Sequence, residues 1–117
     1  MQPELRERLR HVLDAGEKIL HVTSGKTFEE YDRHELLPDA TERQFMIIGE
    51  ALREAARVEP AIRTRITSFR RIVDFRNVIV HDYATVYNEG VWRIIEEHLP
   101  ILLTEVRAVL ATPDDDA

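Results

Sequence analysis

Arg76-Asn77-Val78-Ile79-Val80-His81-Asp82-Tyr83 reads either as a strand or as the end of a helix, and the choice decides the fold. Val78, Ile79 and Val80 are β-branched and suit a sheet. No second run in the chain offers a convincing partner strand, however, and Ile72, Phe75, Ile79 and Val80 keep a helical spacing from a start near Thr67-Ser68. The helical reading therefore stands. At about 3.6 residues per turn, Asp74, Asn77 and His81 fall along one face, and Arg76 and Tyr83 share a neighbouring line.

Working outward, Leu5, Leu9, Val12, Leu13, Ile19 and Leu20 recur at helical distances up to Ser24-Gly25, where glycine can take a left-handed cap. Thr27-Phe28-Glu29-Glu30 has the spacing of a capping box and predicts a short helix. Pro38-Asp39 opens a second long helix with a stripe of Phe45, Ile48, Leu52 and Ala55, which stops near Glu59-Pro60 because proline cannot extend the hydrogen-bond ladder. After Asn88-Glu89-Gly90, Val91, Ile94, Ile95, Leu99, Leu102, Val106 and Leu110 mark a last helix that Pro100 bends or divides. The expected fold is all-α, an up-and-down bundle of about four main helices plus a short one.

At 117 residues the chain makes one domain, expected over 1–117, with a frayed acidic tail at 112–117. It has no cysteine, which excludes disulfides and thiolate chemistry. Met1-Gln2-Pro3-Glu4 runs straight into charged helical sequence without the apolar core of a signal peptide or a membrane span, so the expected location is the cytoplasm, away from membranes. The net charge of -6 argues against indiscriminate coating of nucleic acid. That average hides a basic segment: Arg63, Arg65, Arg70, Arg71 and Arg76 face only Asp74 over residues 61–76. Such a patch on an acidic body suits RNA or an acidic partner, although a solvated helix face has the same composition.

The ordered motifs resemble the HepT-like family of HEPN proteins, toxin partners of minimal nucleotidyltransferases. Arg76 through Tyr83 fits the family's pattern of Arg, four residues, His, one residue, Tyr, with Asn after the Arg. Ile47-Ile48-Gly49-Glu50-Ala51 resembles its second-helix signature, and Val91-Trp92 through Leu99-Pro100 its final-helix signature. The chain departs from the family where Phe69-Arg70-Arg71-Ile72 replaces the common Trp-Arg-Glu-Ile. The resemblance implies a HEPN-type bundle, a homodimer that faces two motifs across a cleft, metal-independent RNA cleavage without a cofactor, and a nucleotidyltransferase antitoxin that adenylylates the motif tyrosine.

The residues allow matching chemistry. Imidazole exchanges a proton near neutral pH, so His81 is the candidate to deprotonate a ribose 2'-hydroxyl; its plainer role is to cap the helix. Arg76 is the candidate to hold non-bridging phosphate oxygens, with Arg70 and Arg71 as further RNA contacts. Arg76 and His81 are five positions apart and diverge by about 140 degrees on a regular helix, so either the helix loosens before His81 or a dimer joins the two residues across its cleft. Asn77 is the third catalytic candidate, as a donor to phosphate or an orienter of His81. Asp74 supports His81 or pairs with Arg70 or Arg71. Glu50 pairs with an arginine near the motif or lies at the surface. Tyr83 is the implied acceptor of AMP, and Tyr87 is a second acceptor or, preferably, a packing residue. His11, His21, His34 and His98 have no metal-ligand spacing, so no metal site is expected. The leading reading is an endoribonuclease; the alternative is a non-catalytic helical partner or substrate of a nucleotidyltransferase.

Overall fold

Pro3, which lacks an N–H where a helix start cannot use one, opens the first helix, α1, at Pro3–Thr23. The computed structural model of the protein describes residues 1–112, so residues 113–117 of the expected acidic tail lie outside the described residues. α1 stops just before Gly25, whose φ of 74° is open to glycine at little cost. Helix α2, Phe28–Arg33, starts on a complete capping box, with Glu30 N–H donating to Thr27 Oγ1 at 3.2 Å and Thr27 N–H donating to Glu30 Oε1 at 3.0 Å. The backbone hydrogen bond from Thr27 holds the Glu30 carboxyl below its ordinary pKa, aided by the Thr27 hydroxyl.

Helix α3, Leu37–Val58, carries Pro38 in its first turn and ends at Glu59-Pro60 as the sequence predicts. Next come a single turn, α4 at Ile62–Arg65, and the motif helix α5 at Phe69–His81. A 3-10 turn at Tyr83–Thr85 leads to α6, Asn88–Glu97, and α7, Leu99–Leu110. The described residues form no strand. Ile79 is buried while Val78 and Val80 are 41% and 39% exposed, so three β-branched residues are accommodated by a helix that buries only the middle one.

The fold is all-α, but the expected count of about four main helices and a short one is corrected to seven α-helices among the described residues. Two causes account for the difference. Pro100 has no N–H for the Glu96 carbonyl, and its ring crowds that carbonyl, so the last helix divides at His98. The segment after Pro60 regains one helical turn, with Ile62 and Ile66 fully buried as its anchors.

α1 and α3 form the most extensive contact, with α5 on α3 and α7 on α1. Leu9, Ile19, Phe45, Ile48, Leu52, Ile72 and Leu102 belong to one continuous core. Close approach is set by glycine at two crossings. A Cβ on Gly16 would stand 2.5 Å from Leu103 Cδ2 of α7, and one on Gly49 would run into the Cβ and Cγ of Arg76 in α5. Trp92 of α6 packs against Tyr31 and Phe28, with ring centroids 5.2 and 6.2 Å away, and so ties α6 to α2. No described helix is long and apolar enough to cross a membrane.

Candidate active site

Gly49 is where the site begins, because its missing side chain lets α5 lie close enough for Arg76 to pass over α3. Arg76 is 18% exposed, and its guanidinium is fixed at two ends. Nη2 stands 3.0 Å from Glu50 Oε2, an ion contact without hydrogen-bond angles, and Nη1 donates to Asn77 Oδ1 at 3.0 Å. Glu50 is shared, since Arg53 Nη1 lies 3.6 Å from the same carboxylate oxygen. Arg76 Nε is buried without an acceptor among the described residues. The group is thus held in place by neighbours from two helices while its charge is only partly matched.

Asn77 commits its carbonyl to Arg76, which leaves its amide N–H donors uncommitted. It makes no hydrogen bond to His81. The imidazole of His81 is exposed at the last residue of α5 and has no side-chain partner among the described residues. Asp82 N–H donates to Val78 O at 2.7 Å, so the helix remains regular through His81 and does not loosen before it. Arg76 and His81 consequently leave α5 in the diverging directions that a regular helix imposes.

Asp74 lies beside Arg70, with Oδ2 3.8 Å from Arg70 Nε, rather than bonding His81. Both are solvent-exposed, so their pair contributes little to stability. Arg71 lines a cavity beside α5 with Asp74, Phe75 and Val78. The expected line shared by Arg76 and Tyr83 is not formed, because Asp82 leaves helical geometry at φ -153°, ψ 57° and Tyr83 belongs to the following turn. Tyr83 is 78% exposed and Tyr87 69% exposed. That corrects the preferred packing role of Tyr87, whose ring has no aromatic neighbour in the described core.

Sequence reasoning also missed Arg53 as the second cation on Glu50, although their spacing of three residues in a helix is a visible signal. Ser68 and His98 form a separate polar link, with Ser68 Oγ 3.0 Å from His98 Nδ1. His34 Nδ1 accepts from the backbone N–H groups of Leu36 and Leu37. Among the described residues no cluster of three His, Asp or Glu side chains could hold a metal ion.

A model of the family described as Ribonuclease HepT-like matches residues 12–109. The chain belongs to the ribonuclease HepT-like family. It is 26% identical over 105 residues to the Caldanaerobacter subterraneus subsp. tengcongensis protein named "Putative RNase TTE0752", covering 90% of this chain and 93% of that protein. It is 24% identical over 103 residues to "Putative RNase MJ1380" of Methanocaldococcus jannaschii, covering 86% and 92%. It also matches that organism's "Gamma-glutamylcyclotransferase and putative RNase MJ0434" at 24% identity over 114 residues, covering 97% of this chain but spanning about half, 51%, of the relative. No solved structure matches at a comparable level. The HepT-like assignment spans α3 and α5, the two helices that assemble Gly49, Glu50, Arg76, Asn77 and His81.

Proposed function

We propose that this HepT-like chain is a metal-independent endoribonuclease, the toxin of a HEPN/nucleotidyltransferase toxin-antitoxin pair, with the up-and-down HEPN domain spanning 1–117. The observation that carries this reading is the division of labour on α5. Arg76 is anchored by Glu50 and Asn77, while His81 is exposed and has no side-chain partner among the described residues, a helical turn and a half away.

In this mechanism the His81 imidazole takes the proton from a ribose 2'-hydroxyl. The 2'-oxygen attacks the adjacent phosphorus, the bond from phosphorus to the 5'-oxygen breaks, and the products carry a 2',3'-cyclic phosphate and a 5'-hydroxyl. The leaving 5'-oxygen takes its proton from water or from an imidazolium across the dimer cleft. Arg76 stabilises charge on the non-bridging oxygens, assisted by the free amide donors of Asn77. The nucleophile is internal to RNA, so this route calls on no Lewis acid and no cofactor. Arg70 and Arg71 guide the strand by contacts to phosphate.

A homodimer completes the proposal, because the regular helix directs Arg76 and His81 apart within one chain. Exposed Val80 beside His81 supplies apolar surface for the second copy. Tyr83 is the proposed AMP acceptor, supported by its 78% exposure just beyond His81. An attached phosphate and adenosine there compete with RNA by charge and volume. The intended setting is the cytoplasm.

Single-turnover cleavage of a defined RNA by wild type and His81→Ala tests the assignment. Loss of about 10²-fold or more in the variant, with RNA affinity retained and cyclic phosphate ends in the wild-type product, is the expected result. Wild-type cleavage that survives unchanged in folded His81→Ala removes His81 from the mechanism. A wild type that never cleaves RNA but accepts AMP on Tyr83 favours the non-catalytic partner reading, for which the exposed tyrosine is the supporting observation.

A further inference from the structure

Between α5 and the start of α6 lies a cavity of about 440 Å³ whose floor includes Phe75, Val78 and Ile94. Arg71 and Arg93 stand among its lining residues with Asp74 and Glu89; neither arginine has an ion-pair or hydrogen-bond partner among the described residues, while Asp74 lies beside Arg70. Both guanidinium groups are therefore free to meet an incoming phosphate. Tyr87 borders the same space and leaves 69% of its surface open. An apolar floor, a free aromatic ring and two cations are the components that receive a base and its phosphate together.

Gly90 gives an independent sign. It sits in the first turn of α6 and lines the cavity. Gly25 is explained by its positive φ, and Gly16 and Gly49 by the neighbours a Cβ would strike, but a Cβ on Gly90 would meet nothing within 4 Å. Glycine is a poorer helix former than alanine, and neither backbone conformation nor packing within the subunit accounts for it here. An occupant of the cavity does account for it.

We infer that this cavity is a nucleotide subsite that takes one base of the RNA strand beside the scissile phosphate, with Arg71 and Arg93 on the backbone phosphate and Tyr87 against the base. The inference deepens the ribonuclease reading and rests on it for the identity of the strand. Val78 lies three residues before His81 on the same helix, so the subsite borders the proposed reacting group. Of the two sources of such a nucleotide, RNA or an adenylyl group on a tyrosine, the two cations favour RNA. A strand brings a phosphate on each side of its base, whereas the adenylyl group brings one.

Calorimetry with each 5'-mononucleotide and with inorganic phosphate, on wild type, Gly90→Leu, Gly90→Ala and Arg93→Ala, measures the site without requiring cleavage. At least one mononucleotide is expected to bind wild type tenfold or more tighter than phosphate. Gly90→Leu should lose that advantage by filling the space, Gly90→Ala should weaken it in part, and Arg93→Ala should weaken nucleotide and phosphate alike. Equal binding of nucleotide and phosphate, or nucleotide binding unchanged in Gly90→Leu, overturns the subsite. A changed mass of Gly90→Leu in light scattering also overturns it, by marking the cavity as a contact between protein chains.

Cleavage of an RNA with a single abasic ribose moved along the strand separates the two sources. One position should slow wild type tenfold or more and cease to matter in Gly90→Leu. If wild type cleaves and no position matters, the RNA subsite is wrong and the ribonuclease reading survives. If wild type binds mononucleotide in this cavity but cleaves no RNA, the ribonuclease reading fails and the adenylyl source replaces RNA.

Discussion

Arg76 of α5 lies across Gly49 of α3, with its guanidinium 3.0 Å from the carboxylate of the neighbouring Glu50. The arginine therefore has two separable parts: an aliphatic stem that fills the helix crossing and a charged end. Arg76→Met keeps the stem, and its stability should stay within about 1 kcal/mol of wild type because the ion pair is partly exposed. Its RNA cleavage should fall by about 10²-fold or more. Arg76→Ala should lose the same activity and be less stable than Arg76→Met, which thermal unfolding beside single-turnover kinetics will reveal.

The helical glycines should respond to alanine in different directions. Gly49→Ala meets the base of the Arg76 side chain, which has no room to swing away, and should destabilise by about 1–3 kcal/mol. Gly16→Ala meets the flexible end of Leu103, so its clash is offset in part by better helix propensity and should cost less. Gly90→Ala should stabilise by up to about 1 kcal/mol. Urea unfolding of the three variants gives the order directly.

The capping box at Thr27 makes α2 sensitive to acid. The Glu30 pKa is depressed in the folded chain by the Thr27 hydrogen bonds, so its contribution is fully present above the ordinary carboxylate range and is lost as pH falls through the lowered folded value. The stability difference between wild type and Glu30→Gln should accordingly be larger at pH 7 than near pH 3, by melting temperatures across that range. A difference independent of pH would remove the charged form of Glu30 from the cap.

Tyr83→Phe should cleave RNA at close to the wild-type rate yet no longer take AMP from the partner nucleotidyltransferase. Intact-protein mass spectrometry after incubation with that enzyme and ATP reads the added group. AMP retained on Tyr83→Phe and lost from Tyr87→Phe would move the modification site four residues along the chain.

The sequence made the long helices readable because their boundaries are local. Gly25, the Thr27 box, Pro38 and Pro60 each act within one turn of the backbone, and each stands where its chemistry requires. The Arg76 to His81 segment was readable as a helix for the same reason, since one buried side chain in three follows the helical period. Other features depend on residues distant in the chain. The choice between a surface ion pair and an anchor for Glu50 is made by α5, and the division at His98 brings a link to Ser68 that spacing does not announce. The cavity beside Val78 joins Arg71 to Arg93 across a turn, and the free rings of Tyr83 and Tyr87 follow from where that turn carries them.

The crossing at Gly49 also constrains how such a chain can lose its activity over generations. Position 76 is tied to the architecture, and drift there disturbs the join between two helices. Position 81 is at a helix end with no partner among the described residues, and its side chain can change with little effect on the body of the protein. Silenced descendants should therefore keep the arginine and lack the histidine. The same asymmetry makes position 81 the place to disarm the protein when a living host must produce it.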